Sequence, residues 1–358
     1  MQKKTFLLYG ANGYSGRLIA RFAHQYDLAP ILAGRNQQVI AALAQELSLP
    51  YKIVDLADGP GLVAALQEVS LVVHAAGPYD LTARQMIAAC MEAGTHYVDL
   101  NGDLEVFEMM QGYDKAAKEK NIMVLPGAGF DVVPTDCLSR WLKDQLPDAN
   151  KLEIAFAIIG SGLSRGTSIT TLQKLGMPGA RRVNGQIVPE PIGTRGMWVE
   201  FPYNKQQSFV MSIPWGDVST AYFTTGIPNI ETYTGISKGV WLFLKMQRSF
   251  NWLLRTRLVH RMITQIINSK SPGPDDQRRD KAVSLIRGKV FNPQGKSITA
   301  FMRCPEAYSL TALSVLLIAR KILDGDFKPG YQTPASAYGA DLIMEIPGVS
   351  REMGEGNS

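Results

Sequence analysis

The residues best placed to do chemistry lie near the start of the chain. There Gly10-Ala11-Asn12-Gly13-Tyr14-Ser15-Gly16 separates an apolar run ending at Tyr9 from a segment carrying Leu18, Ile19 and Phe22 at helical spacing. A strand, a glycine loop and a helix in that order offer backbone N–H groups and the positive end of a helix dipole to an anion, and glycines admit it without a Cβ in the way. The chemistry is phosphate binding, and with further strands downstream it is that of a dinucleotide. The competing reading is three glycines that serve only as a tight turn. The spacing is G-x-x-G-x-x-G, not G-x-G-x-x-G.

A dinucleotide fold reads the adenosine ribose at the end of its second strand, where an acid binds a free 2′-hydroxyl and an arginine accommodates a 2′-phosphate. This chain has Ala33-Gly34-Arg35-Asn36 there. With no acid, and with a guanidinium able to grip phosphate bidentately and stack on adenine, the residues predict NADP(H) over NAD(H). The alternative is a surface arginine at a helix start. Asp55, after the third strand, is a candidate for the adenine edge. Ala76-Gly77-Pro78-Tyr79 follows the fourth, where Gly77 would let the backbone lie against ribose and nicotinamide; Pro78 serves equally well simply to end the strand.

Hydride transfer needs one more group to supply a proton or polarise the acceptor. The polar residues at strand ends are Tyr79, Tyr97, Asp99, Asp131 and Asp136, and Tyr79 is preferred because it follows the Gly-Pro pair. Asp99 competes as a strand-end hydrogen-bond acceptor and Asp136 as a first-turn helix acid. No tyrosine is followed by lysine four residues on, which disfavours short-chain dehydrogenases. His24, His74, His96 and His260 show no metal spacing, so no metal site is expected and packing or surface roles are assigned to them. Cys90, Cys137 and Cys304 lie far apart, which excludes a zinc ribbon and a disulfide framework and fits a cytoplasmic protein with buried thiols.

The elements that must position these residues follow an alternating pattern. Apolar runs at 5–9, 30–33, 52–54, 71–75, 97–100 and 122–125 read as strands covered on both faces, with helices between them. Asn36 is a good N-cap for one helix and Gly94 a good stop for the segment 83–93. Beyond Pro126 a helix is expected at 135–145 and a strand at 152–159, after which alternation dominates. Asn184-Gly185 and Asn292-Pro-Gln-Gly295 mark hairpin turns. Residues 269–280 are expected to form a loop, and the tail from Arg351 to fray. The fold class is therefore α/β. It combines a Rossmann-type doubly wound parallel sheet (residues 1–130, completed by about 305–350) with an inserted α+β substrate or dimerisation domain (131–304) of mixed, largely antiparallel sheet.

Composition limits the alternatives. Across 358 residues, 46% hydrophobic and 19% charged side chains exclude a disordered chain, and the apolar start is too short for a signal peptide. The net charge of +5 is uneven: residues 238–296 hold thirteen Lys or Arg against three Asp, leaving the remainder at −5. One local basic segment does not suit a nucleic-acid-coating protein. Within it, apolar residues from Val240 to Ile267 are punctuated by Lys245, Arg248, Arg255, Arg257 and Arg261. Such a helix can meet an anionic membrane or an acidic carrier protein through 238–270, or pack on its own domain or in a homodimer.

Several motifs in one order carry a resemblance. Gly10–Gly16, Ala33-Gly-Arg35, Ala76-Gly-Pro-Tyr79, Ala93-Gly-Thr-His-Tyr-Val-Asp99, Gly129-Phe-Asp131 to Pro134, Ser164-Arg-Gly-Thr167 and Tyr331-Gln-Thr-Pro334 with Gly339-Ala-Asp341 resemble the saccharopine dehydrogenase-like oxidoreductases, in particular the bacterial branch with trans-acting enoyl reductases. Where that family has Gly-Glu, this chain has Gly102-Asp103. The resemblance implies an NADP-dependent reductase acting on a small-molecule or carrier-bound acyl substrate. Only Arg165 suggests a carboxylate-binding arginine, and the apolar, aromatic stretch 197–233 fits an enoyl thioester better than an amino-acid adduct. Two other classes stay open: a non-catalytic NADP(H) sensor or scaffold, and a peripheral lipid-associated protein.

Overall fold

A computed structural model describes residues 4–173, 179–203, 207–246, 256, 262, 264–267, 269 and 272–354. The chain divides into two compact units: residues 1–133 with 308–339, and residues 134–307 with those from 340 onward.

The first unit is a parallel sheet. Its strands are β1 (Leu7–Tyr9), β2 (Ile31–Gly34), β3 (Tyr51–Ile53), β4 (Leu71–His74), β5 (His96–Asp99), β6 (Met123–Leu125) and the late β15 (Gly330–Tyr331), in the order β15-β6-β5-β4-β1-β2-β3. The order reverses direction between β1 and β4, which stay paired as far as Tyr9 and His74, so it is the connections leaving their carboxyl ends that diverge, the usual ligand position in open α/β sheets. The central strands are apolar on both faces because helices cover both, and Leu7, Leu8, Val72 and Val98 are fully buried. β3 departs from that expectation. It is an edge strand, and Tyr51 and Ile53 keep 48% and 39% of their surface exposed.

Local rules set the helix boundaries. The helix α2 (Gln37–Leu47) starts where the Asn36 side chain accepts the Val39 N–H at 3.1 Å. The helix α4 (Tyr79–Ala93) ends at Gly94 in the left-handed region, φ 75°. It begins four residues before the expected 83, so Tyr79 lies in a first helical turn and not in a loop.

The second unit holds a nine-stranded mixed sheet. Seven strands run in the order β10-β11-β12-β7-β13-β14-β16, and β8 joins β12 to β9. The ranges are β7 (Lys151–Ile159), β8 (Gly179–Val183), β9 (Gln186–Glu190), β10 (Gly196–Glu200), β11 (Gln207–Ser212), β12 (Asn229–Gly235), β13 (Val283–Phe291), β14 (Ser297–Pro305) and β16 (Ser350–Met353). Only β12 and β7 pair in parallel. Asn184 and Gly185, both at positive φ, make the β8–β9 turn, as their residue types require.

Three expectations fail here for identifiable reasons. Residues 340–350 cluster with the second unit, because β16 pairs with β14 from Ala300 to Arg303. The same pairing holds Arg351 to Met353, and the Arg351 guanidinium lies 4.1 Å from the Trp141 ring while pairing with Asp341 at 2.6 Å; residues 355–358 lie outside the described residues. Within 269–280, Asp275 accepts the Arg278 N–H at 2.8 Å and nucleates the helix Asp276–Lys281. Of the basic segment, Lys238–Met246 forms the helix α10, with Val240 and Leu242 about half exposed. Arg248, Arg255, Arg257 and Arg261 lie outside the described residues.

Candidate active site and cofactor cradle

The glycine loop leaves β1 through Gly10, at φ 84°, a conformation that side chains with a Cβ rarely adopt. A Cβ there would also sit 2.8 Å from the Ala75 carbonyl, so the loop can pass β4 this closely only with glycine. Gly10 and Ala11 donate their N–H groups to the Ala33 carbonyl at 2.9 and 3.3 Å, and Gly13 N–H donates to the Gly10 carbonyl at 3.0 Å. The helix α1 (Tyr14–Phe22) starts at Gly13 with no side-chain cap. At Gly16 a Cβ would fall 2.3 Å from the Gly10 carbonyl oxygen, so this glycine seats the helix on the loop. Tyr14 is held edge-on against Tyr308, ring centroids 4.9 Å apart.

Around this loop the strand ends converge as the sequence predicts. Asn12 Oδ1 lies beside Gly34, and Arg35 follows at the end of β2 with its side chain exposed. Asp55 is exposed after β3, where it accepts the Ala57 N–H at 3.0 Å. Both charges act on Tyr9 at the end of β1; burial, then Asp55, raises the Tyr9 pKa, and Arg35 opposes the rise. Ala76 and Pro78 are half-buried and Gly77 is exposed after β4. A glycine-rich loop, an uncapped helix start and an exposed guanidinium at the second strand end together fit a phosphorylated dinucleotide.

The four candidate catalytic residues gather at the ends of β4, β5 and β6. Tyr97 O–H donates to Asp99 Oδ2 at 2.7 Å, and Asp99 Oδ1 accepts the N–H groups of Asn101 and Gly127, both at 2.8 Å. Burial pushes the Asp99 pKa up to about 6, and these three donors hold it from rising further. The Tyr97 pKa is raised well above its usual range by burial and then by Asp99. Tyr79 O–H donates to the His74 carbonyl at 3.2 Å; burial, Asp99 and Asp131 all make it harder to ionise.

Asp131 differs from its neighbours. The loop after β6 is braced from the helix Ala307–Leu323, where Thr311 Oγ1 accepts the Phe130 N–H at 3.0 Å and Ser314 Oγ donates to the Ala128 carbonyl at 2.7 Å. That bracing sets the half-buried Asp131 carboxyl over Gly102, where a Cβ would lie 2.5 Å from Oδ2. Burial raises its pKa to about 7.

This shift has a stability consequence. An unfolded aspartate titrates near 3.9. With the folded pKa raised, the folded state binds the proton more tightly, so stability is highest below the unfolded pKa and falls as pH rises through about 7. Asp131→Asn cannot ionise, so its melting temperature should gain on the parent's between pH 4.5 and 8. Equal pH dependence of the two melting curves would contradict the assignment.

His74 was legible only as a packing residue, yet it sits at the centre of this cluster. It is fully buried, its Nδ1 lies 3.2 Å from the Tyr97 hydroxyl, and its ring meets Tyr9 and Tyr79 edge-on. Burial lowers its pKa to about 3, so it is neutral at any working pH. Its position at a strand end just before Ala75-Ala76-Gly77 was the one available signal. His96 does pack: Nδ1 accepts the Met123 N–H at 2.9 Å and the ring lies against Phe327. Asp136 is buried in the second unit, accepting the Thr224 hydroxyl at 2.6 Å. The three cysteines are buried and free. Among the described residues no cluster could hold a metal ion, and no helix is long and apolar enough to cross a membrane.

Among known proteins, residues 6–125 in the first unit match the family model described as the saccharopine dehydrogenase NADP binding domain. The cofactor is NADP(H), as Arg35 predicts. Curated relatives are similar over part of the chain. A mouse saccharopine dehydrogenase-like oxidoreductase is 26% identical over 44% of this chain and 41% of its own. A trans-acting enoyl reductase of Mycobacterium tuberculosis is 33% identical over 36% of this chain and 33% of its own. A lipid droplet localized protein of Caenorhabditis elegans is 27% identical over 54% of this chain and 50% of its own. The matched stretches thus span half or less of these relatives. The yeast saccharopine dehydrogenase (L-Glu forming) covers 98% of this chain with a TM-score of 0.70 at 14% identity, which shows a shared fold, mixed second sheet included.

Proposed function

We propose that this oxidoreductase reduces an activated carbon–carbon double bond, of the enoyl-thioester kind, using NADPH. The observation that carries the proposal is the placement of the Asp131 carboxyl over Gly102 by the braced loop after β6 of the parallel sheet, with its pKa raised by burial to about 7. Reduction of such a bond needs a hydride at one carbon and a proton at the other. Bound NADPH supplies the hydride. Gly10, Gly13 and Gly16 would hold its pyrophosphate with Asn12 and Tyr14 beside them, Arg35 its 2′-phosphate and Asp55 its adenine edge. Ala76, Gly77 and Pro78 would border the nicotinamide side.

The chain's own groups divide the remaining work. Asp131, protonated in about half the molecules at neutral pH, gives up a proton at little cost and recovers it from water. Tyr79 suits that role less well, because its hydroxyl is committed to the His74 carbonyl and its pKa is driven up. Tyr97 and Asp99 act as positioning residues. Their bond, with the two N–H groups on Asp99, joins the end of β5 to the loop that carries Asp131. The similarity to a trans-acting enoyl reductase and the aromatic stretch 197–233 support an acyl thioester, free or carrier-bound.

The test is NADPH oxidation at 340 nm with crotonyl and longer enoyl thioesters, beside an imine and a keto acid. Turnover confined to the enoyl compounds is expected. Turnover of the imine alone would reassign the substrate, and bound NADPH that no substrate oxidises would favour a sensor or scaffold.

A further inference from the structure

The second unit contains a cavity of about 420 Å³, bordered by Arg195, Gly196, Met197, Tyr233, Trp241 and Lys245. It is built, not incidental. The Trp241 indole crosses the start of β10 so closely that a Cβ on Gly196 would lie 2.9 Å from its ring, and its Nε1–H donates to the Gly193 carbonyl at 2.8 Å. Phe209 backs the indole at 5.0 Å between ring centroids. One turn along α10 from Trp241, the Lys245 ammonium stands 4.5 Å from the centre of the same indole.

The charges of this cavity do not cancel. Arg195 is shared between Glu190, at 2.5 Å, and Glu231. Arg181 meets the same two carboxylates at 3.0 and 3.5 Å, and Lys151 bridges Glu153 and Glu231 at 2.8 and 3.9 Å. Tyr233 O–H also donates to Glu231, at 2.7 Å. Of the two cations that border the cavity, Arg195 is thus answered by carboxylates. Lys245, exposed at its rim, makes no ion pair among the described residues and is left over.

One surplus positive charge above a wall of indole, phenol and thioether matches one kind of occupant. We propose that this cavity binds a single-chain amphiphilic monoanion, a medium-chain fatty acid, with its carboxylate on Lys245 and its chain along Trp241 and Met197. Open clefts of this volume are within the range that takes small ligands. The site is built from residues of the second unit and does not depend on the reaction proposed above.

Decanoate, decanol and inorganic phosphate would be titrated into the full chain by calorimetry, with Trp fluorescence as a second readout. Decanoate is expected to bind, decanol more weakly and phosphate alone not measurably. Lys245→Gln should weaken decanoate by about fivefold or more, the scale of one charge-assisted contact, and Lys245→Arg should restore it. NADPH binding should be unchanged in both variants, which shows that they are folded. Decanoate affinity untouched by Lys245→Gln, decanol binding as tightly as decanoate, or phosphate binding by itself would each overturn the proposal.

Discussion

Asp131→Asn should lower kcat for enoyl-thioester reduction by about 10²- to 10⁴-fold, the usual contribution of a positioned general acid, while leaving NADPH affinity within about twofold. The amide keeps the shape of the carboxyl over Gly102 but has no proton to give near neutrality. The pH profile separates this from a structural role. In the parent the protonated form is the active one, so the rate should fall as pH rises through about 7, the value to which burial moves Asp131. In the variant the residual rate should lose that inflection. A variant with lowered kcat but an unmoved inflection would assign the titration to another group, with Asp99, near 6, the next to test.

The second large effect concerns cofactor choice. Arg35→Ala should weaken NADPH by about 10- to 100-fold, the cost of removing a charge-assisted contact to phosphate, and should leave NADH nearly unchanged. The side chain is exposed at the end of β2 and no ion pair among the described residues depends on it, so its removal leaves the fold intact. NADPH affinity equal in the variant and the parent would reduce Arg35 to a surface arginine at a helix start. The loss should also shrink as ionic strength rises, because the interaction is between exposed charges.

What could be read from residue order and what could not follows from the range of the interactions involved. Gly10, Gly13 and Gly16, Asn36 as a cap, Gly94 as a stop and Asn184-Gly185 as a turn act within a few residues. The cap, the stop and the turn were visible in the sequence and recur in the structure. The first sheet was legible for the same reason, since each βα unit is local and its strand order follows from repeated right-handed crossovers. The candidate catalytic cluster was only half legible. Tyr79, Tyr97, Asp99 and Asp131 were singled out as strand-end residues, but their ranking depends on contacts no spacing encodes. The commitment of Tyr79 to the His74 carbonyl, and the bracing of the Asp131 loop by Thr311 and Ser314, join segments 5 to about 190 residues apart. His74 was passed over because a lone histidine in an apolar strand reads as packing until Tyr97 is brought to its Nδ1. The tail from Arg351 looked unsupported for a similar reason, since its partners Trp141 and β14 lie far back in the chain.

The central claim is that the loop Gly10–Gly16 and Arg35 make this chain an NADP(H) protein. It is tested most directly by titrating the purified protein with NADPH and NADH side by side, following energy transfer from its five tryptophans to the nicotinamide. The account predicts saturable NADPH binding at least tenfold tighter than NADH, the advantage of one charge-assisted phosphate contact. Equal affinity for the two, or binding of neither, would contradict it.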